Sequence, residues 1–288
     1  MYFETLIGYL QDGGVAGLKI VHPFSLYLIC NHYYGNEFNY HGGNLKSLVG
    51  LESKNDILRS NDVECVKEND IIHVQVNYFA KFVDTILPRL KVRFVLSTGQ
   101  WHKPQIHKNT LTDGLLNDSR IIAWISQNPI YKHPKYIAFP YGIRLSNLES
   151  YKSALLCQPP KTEKLVSLFI DRSTNACRKA LPLSPDCVST SPDEFYRKVS
   201  GAEFILSPIG DRMDCYRHYE AIGLGTTPIS NVTTLYTQIF EESMIYMTID
   251  AMATTDASTC GVSNPDRNLI CFDYHLNRIH ESLTRLSK

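Results

Sequence analysis

The stretch from Phe204 to Ser230 constrains the fold most, because a strand, a glycine turn, a helix and a second strand follow one another within it. The apolar run that begins at Phe204 is bounded by Pro208 and Gly210, which predicts a buried strand that ends in a turn. Two strands joined by a helix pair in parallel, so this stretch predicts a sheet of the α/β class.

The predicted helix begins where it could bind an anion, since the N–H groups of a first helical turn lack partners within the helix. Asp211 or Asp214 is the expected cap. Arg217 and Glu220 are three residues apart and share a face, where the guanidinium suits a diphosphate and the carboxylate suits ribose hydroxyls. The alternative is an ordinary surface ion pair, and the spacing alone leaves both open.

Strands and helices alternate in both halves of the chain. Strands are predicted at 69–77, 93–99, 120–124, 136–139, 165–170 and 244–249, and helices at 79–90, 191–200, 235–242 and 273–286. A helix, a loop and a proline-containing linker at 144–160 separate the halves. We therefore expect an α/β protein with two Rossmann-like domains that face each other across a cleft.

The charge and the cysteine content of the chain argue against several classes of protein. The 288 residues contain 29 Lys plus Arg and 29 Asp plus Glu, so no overall field favours nucleic acid or an anionic membrane. The eight cysteines lack CxxC spacing, which favours free thiols in a reducing compartment over disulfides or a metal site. The first residues resemble neither a signal peptide nor a membrane anchor, so a cytoplasmic location is expected.

A second candidate phosphate loop follows the strand predicted at 165–170. Arg172, Asn175 and Arg178 lie in it, where Asn175 could cap a short helix and the backbone could offer N–H groups to phosphate. The alternative is that these are solvated residues at a helix start, since arginines are common on protein surfaces.

Candidate catalytic residues lie mostly in the first half. Asp12 stands beside two glycines, where a ligand could come close, although a plain turn aspartate is the alternative. Asn77, Gln100 and His102 are expected to share the rim at the carboxyl ends of two strands. His73 lies within a strand; a histidine titrates near the working pH, but a single one is more often structural.

Residues in a fixed order resemble the donor-binding motif of exostosin-like glycosyltransferases, a family that includes members encoded by large DNA viruses of algae. They are Ser207, Pro208, Gly210, Asp214, Arg217, Glu220, Ala221, Gly225, Pro228 and Ile229. The first half also resembles this family, at Asp70, Val74, Leu87, Pro88, Phe94, Thr98, Gly99, Pro104, Trp124, Gln127, Asn128, His133, Pro134, Lys135, Pro140, Gly142 and Ile143. The resemblance therefore covers nearly the whole chain.

The resemblance implies a GT-B fold: an acceptor-binding domain at 1–143, a nucleotide-sugar (donor) domain at 144–272 and a C-terminal helix at 273–288 that packs back toward the first domain. It implies inverting transfer of a pentose such as xylose, or of a hexose, from a nucleoside-diphosphate donor, with UDP expected, to an oligosaccharide or glycoprotein glycan. The donor-binding residues would be Arg172, Asn175, Arg178, Ser207, Gly210, Asp214, Arg217 and Glu220. A DxD motif is absent from the sequence, so transfer is expected to need no metal and no cofactor beyond the donor.

The catalytic base stays open, with Asp12 first, His102 second, and His73 and Asp70 behind. Relatives often carry aspartate where this chain has Asn77, and an acidic residue near the position of His102. If Asn77 occupies the place of a relative's base, the chain would be a pseudoenzyme, an enzyme with an altered mechanism or an engineered Asp-to-Asn variant. The alternative function is a nucleotide-sugar or carbohydrate-binding protein without turnover. A kinase is a third hypothesis, although the sequence lacks GxxxxGK[ST].

Overall fold

The computed structural model describes residues 1–35, 63–99, 105–168, 170, 175–181, 191–256, 259–261 and 263–286. It has one sheet of five strands and one of four, and all neighbouring strands in both sheets are parallel. This confirms the predicted α/β class with two Rossmann-like parallel sheets. None of the helices in the described part of the chain is long and apolar enough to cross a membrane.

The chain divides into two compact units, one around each sheet. The five-stranded unit comprises His22–Pro140 and His275–Lys288, and the four-stranded unit comprises Met1–Val21 and Tyr141–Tyr274. The helices are α1 Tyr2–Gln11, α2 Ser25–Ile29, α3 Phe79–Thr85, α4 Thr110–Asn117, α5 Leu148–Cys157, α6 Pro192–Ser200, α7 Tyr216–Gly223, α8 Thr237–Phe240, α9 Ile249–Ala253 and α10 Phe272–Leu286.

The strands of the five-stranded sheet follow chain order: β1 His32–Tyr34, β2 Ile71–Gln75, β3 Phe94–Gly99, β4 Ile121–Ser126 and β5 Tyr136–Ala138. Trp124 on β4 lies opposite Leu96 on β3 and is fully buried. Its indole Nε1 donates a hydrogen bond of 2.9 Å to Thr98 Oγ1, and its ring stacks on Phe79 at a centroid distance of 5.7 Å. The bond satisfies the one polar atom of this side chain, so the ring can stay in the core without a desolvation penalty.

The strands of the four-stranded sheet also follow chain order: β6 Glu163–Val166, β7 Ala202–Leu206, β8 Thr227–Ser230 and β9 Ile245–Tyr246. The first 21 residues belong to this unit rather than to the sheet that follows them in the chain. Ile20 forms an antiparallel bridge with Cys271, and the Phe3 N–H donates to Asn268 Oδ1 at 2.9 Å. Asp12 therefore lies in the unit of the predicted donor residues, whereas the sequence placed it in the acceptor domain.

Several element boundaries differ from the sequence prediction; the strand predicted at 165–170, for example, is β6 Glu163–Val166. The helix predicted at 79–90 ends as α3 at Thr85 and is followed by a 3-10 turn over Leu87–Arg89. Pro88 has no N–H to donate, which ends the regular helix. The strand predicted at 244–249 is shorter, and β9 covers only Ile245–Tyr246. It ends there because Thr248 caps α9, accepting a hydrogen bond of 3.3 Å from the Ala251 N–H.

Gly223, the last residue of α7, is needed for close packing. A β-carbon there would overlap with Tyr151 Oη and lie 2.6 Å from Ile270 Cδ1, and both neighbours are fully buried. We expect Gly223→Ala to lower the free energy of unfolding by about 2 kcal/mol, because the packed neighbours must move. Gly8 in α1 is the matched control, with no atom within 4 Å of an added β-carbon. Gly8→Ala should raise stability by about 0.5 to 1 kcal/mol; urea denaturation that gives both variants the same shift would contradict this packing argument.

Candidate functional site

The candidate site is built on the loop 207–215, which joins the carboxyl end of β7 to α7. Ligands of parallel α/β sheets bind outside this edge. Ser207 is fully buried, and its N–H donates to Ile229 O at 2.9 Å. The Ile209 N–H donates to Asn231 Oδ1 at 3.0 Å. The loop is therefore tied to the end of the neighbouring strand β8, and Asn231 is a contributor that sequence reasoning missed.

Asn175 and Arg178 hold the same loop from the other side. Arg178 Nε donates to Ile209 O at 2.7 Å and Nη2 to Pro208 O at 3.3 Å, while Asn175 Nδ2 donates to Gly210 O at 2.8 Å. A β-carbon on Gly210 would lie 3.0 Å from Arg178 Nη2, so the glycine lets the guanidinium lie against the loop. These three predicted donor residues are brought together, and the contacts position the loop backbone. Arg172 lies outside the described residues.

Asp214 is the centre of a buried polar cluster. Its Oδ1 lies 3.0 Å from Arg212 Nη2, and its Oδ2 accepts a hydrogen bond of 2.6 Å from the Tyr219 hydroxyl. Tyr236 donates a longer bond of 3.4 Å to Oδ1. The Arg212 guanidinium also lies 3.8 Å from the ring centroid of Tyr141. Asp214 is fully buried, so this predicted donor residue acts here as the partner of an internal arginine.

The cap of α7 is Cys215, so the prediction that Asp211 or Asp214 caps this helix is wrong. The Asp214 carboxylate is engaged inside the core, which leaves the cap position to the next residue. The Cys215 N–H donates to His218 Nδ1 at 3.1 Å, and His218 Nε2 lies 2.7 Å from Ser207 O. Because an N–H only donates and a carbonyl only accepts, His218 carries its proton on Nε2.

His218 was missed by sequence reasoning, although its position three residues after the cap follows the spacing of a capping box. It is fully buried, and its Nε2 also lies 2.9 Å from Ser230 Oγ at the end of β8. One imidazole thus connects the loop, the start of α7 and the neighbouring strand. The start of the helix, where an anion would bind, is held in place by these contacts.

Arg217 and Glu220 occupy different depths on α7. Arg217 lies in the first turn, is partly exposed, and places its guanidinium carbon 5.5 Å from the ring centroid of Phe195. Glu220, one turn further on, is only 5% exposed. Its Oε1 accepts hydrogen bonds from the Tyr196 hydroxyl at 3.0 Å and from the Arg144 N–H at 3.4 Å. Tyr196 comes from α6, and no sequence signal identified it as a partner.

Burial raises the pKa of Glu220 to about 7, although the hydrogen bonds from Tyr196 and Arg144 act in the opposite direction. Among the described residues, both hydrogen bonds to this carboxyl group go to Oε1. The second oxygen, Oε2, can therefore pair with a hydroxyl of a ligand. Near neutral pH the group can donate or accept a hydrogen bond, according to its protonation state.

The candidate bases have unequal environments. Asp12 is exposed and ends α1 in the four-stranded unit. His73 on β2 is buried, with its Nδ1 2.8 Å from Ser97 Oγ and its ring stacked on Tyr33. Burial lowers the pKa of His73 to about 3, which makes it a weak base. Asn77 is exposed in the turn after β2.

Besides Arg172, three sequence predictions lie outside the described residues: the rim residues Gln100 and His102, and Pro104 of the family pattern. Among the residues that are described, no group of three or more His, Cys, Asp or Glu side chains is arranged to bind a metal ion.

The fold and the site define an α/β protein with a polar loop and a helix start at the carboxyl edge of a parallel sheet. No model of a known protein family matches the chain, and no curated protein matches it in sequence.

Proposed function

We propose that the chain is an exostosin-like glycosyltransferase of the GT-B type, which binds a nucleoside-diphosphate sugar, UDP-linked by expectation, on its four-stranded unit. The observation that carries the proposal is the arrangement at the start of α7. A loop fixed by Asn175, Arg178 and His218 leads into a helix with Arg217 in its first turn and Glu220 one turn later.

The diphosphate would lie at the start of α7. Backbone N–H groups of a first helical turn favour an anion, and Arg217 adds a partly exposed guanidinium at the same end. Interactions that are strongest with the departing diphosphate lower the barrier to transfer. Metal-independent transfer stays part of the proposal on the basis of the sequence, which has no DxD motif.

The ribose would pair with Glu220. Tyr196 and Arg144 fix the carboxyl group through Oε1, which leaves Oε2 to form a hydrogen bond with a ribose hydroxyl. The buried environment strengthens such a bond, because few water molecules compete for it.

The proposed reaction is a single displacement with inversion. An acceptor hydroxyl of a glycan attacks the anomeric carbon, the bond from that carbon to the diphosphate oxygen breaks, and a base takes the hydroxyl proton. Asp12 is the proposed base, because its carboxylate is exposed beside Gly13 and Gly14. Asn77 cannot take the proton, since a side-chain amide is not a base near neutral pH. The proposed setting is the cytoplasm, that of a host cell if the chain is viral.

Arg217→Ala should weaken donor binding by about 1.5 to 3 kcal/mol, since a charge-assisted contact with the diphosphate is lost. A thermal-shift screen of nucleotide sugars identifies the donor, because a bound ligand stabilises the folded state. Calorimetric titration of that donor then compares the variant with the wild-type chain. Arg197→Ala, on the exposed side of α6, is the matched control and should leave the affinity unchanged.

Three outcomes discriminate between the hypotheses. Release of nucleoside diphosphate in the presence of a glycan acceptor supports the transferase. Donor binding without release, even after Asn77→Asp, indicates instead a nucleotide-sugar-binding protein without turnover. Failure of every nucleotide sugar to bind, or equal affinity in Arg217→Ala and the wild-type chain, contradicts the proposed donor site.

A further inference from the structure

A second group of reactive side chains lies in the five-stranded unit, away from the carboxyl edge of its sheet. His32 is the first residue of β1, Cys65 ends a 3-10 helix over Val63–Cys65, and Asp70 immediately precedes β2. β1 and β2 are parallel neighbours, with His32 opposite Ile72. The three side chains therefore meet at the amino ends of these two strands.

The contacts place a nucleophile, a base and an orienting carboxylate in sequence. His32 Nε2 lies 2.7 Å from Asp70 Oδ2, and Cys65 Sγ lies 3.9 Å from His32 Nδ1. The same Asp70 oxygen accepts a hydrogen bond of 2.8 Å from the Lys67 N–H. A carboxylate accepts hydrogen bonds, so the imidazole carries its proton on Nε2 and presents the lone pair of Nδ1 to the thiol.

The thiol is exposed to solvent, whereas the histidine and the aspartate behind it are mostly buried. Cys65 is exposed, whereas the side chains of His32 and Asp70 are 13% and 16% exposed. A small reagent can reach the sulfur, while the partly buried pair behind it keeps a fixed geometry. A nucleophile in contact with a base that a third group orients is the arrangement that activates thiols in enzymes.

We propose that Cys65 is a nucleophilic thiol that exchanges with small disulfides, with His32 as its base and Asp70 as a positioning residue. The Sγ proton moves to His32 Nδ1, and the thiolate attacks one sulfur of the disulfide. A new sulfur–sulfur bond to Cys65 forms while the original one breaks, and the departing thiolate takes the proton from His32. The products are a mixed disulfide on Cys65 and one free small thiol, and the disulfide reagent is the oxidant.

The test uses the reduced, full-length chain and glutathione disulfide, with the extent of mixed-disulfide formation followed by mass spectrometry of tryptic peptides. Cys65 and Cys157 fall in separate peptides, 60–67 and 153–161. Cys157 is also exposed, at the end of α5, and is the internal control. We expect Cys65 to react about tenfold faster than Cys157 or more, as general-base assistance requires. Equal rates for the two thiols overturn the proposal.

His32→Ala should reduce the rate at Cys65 to near that of Cys157, and added imidazole should restore part of it by acting as an external base. A purely structural role of His32 would give no rescue by imidazole. Asp70→Asn should also slow the reaction of Cys65. Added imidazole should restore less of the rate than it does in His32→Ala, because His32 is still present as a base. Protection of the buried thiols Cys30 and Cys271 from the reagent reports in each sample whether the chain is folded. An unchanged Cys65 rate in folded His32→Ala, or the absence of rescue, contradicts the assignment of the base.

Discussion

Asp214→Asn is expected to lower the free energy of unfolding by about 3 to 5 kcal/mol. The carboxylate is fully buried, and its partner Arg212 is only 4% exposed. An asparagine at this position can still accept a hydrogen bond from the Tyr219 hydroxyl, but it removes the negative charge that lies 3.0 Å from the buried Arg212 guanidinium. Urea denaturation of both chains at the same pH gives the difference directly.

Asp211→Asn is the matched control for this prediction. Asp211 is exposed in the same loop, and its Oδ1 accepts a hydrogen bond of 3.1 Å from the Arg212 N–H, which asparagine can also accept. The change in stability should stay within about 0.5 kcal/mol. Adding Arg212→Met to Asp214→Asn should recover part of the loss, since the buried guanidinium that faced Asp214 is removed together with the carboxylate. Equal losses for the two asparagine variants would show that the buried charge is unimportant.

Local pattern was enough to predict most of the strands and the place of the loop, although it missed β1, α1 and α4. The run from Phe204 ends at Leu206 as β7, and the helix after the loop carries Arg217 and Glu220 as expected. Asn175 and Arg178, proposed from a separate stretch, do reach this loop. These results follow from periodicity and from turn residues, which act over a few positions.

Long-range contacts explain what the sequence did not reveal. The first 21 residues belong to the four-stranded unit, where Ile20 forms a bridge with Cys271. No local sequence pattern encodes a contact over this distance in the chain. The burial of Glu220 depends on Tyr196, a residue of another helix. The spacing of Arg217 and Glu220 placed both on one helix face, but only the packing of α6 against that face determines which side chain is buried.

Glu220→Gln is expected to make the chain more stable than the wild type at pH 8 but not at pH 4.5. The difference between the two chains in the free energy of unfolding should change by about 3 kcal/mol between these pH values. The folded-state pKa is raised by burial from 4.5 to about 7, so the folded chain keeps a proton that the unfolded chain releases between these values. Wild-type stability therefore falls as the pH rises through this window and levels off above it. Glutamine cannot ionise, and its Oε1 can still accept the bonds from Tyr196 and Arg144.

Urea denaturation of both chains at pH 4.5 and pH 8 measures this change, and the difference between them isolates Glu220 from other titrating groups. Glu149→Gln, at an exposed position in the first turn of α5, is the control, and its stability should stay within about 0.5 kcal/mol of the wild type at both pH values. A constant difference between Glu220→Gln and the wild type would mean that folding leaves the pKa of this carboxyl group unchanged, so that it is ionised at neutral pH. The buried carboxyl group would then reach a ligand only as an anion, and it could not donate a hydrogen bond to a ribose oxygen.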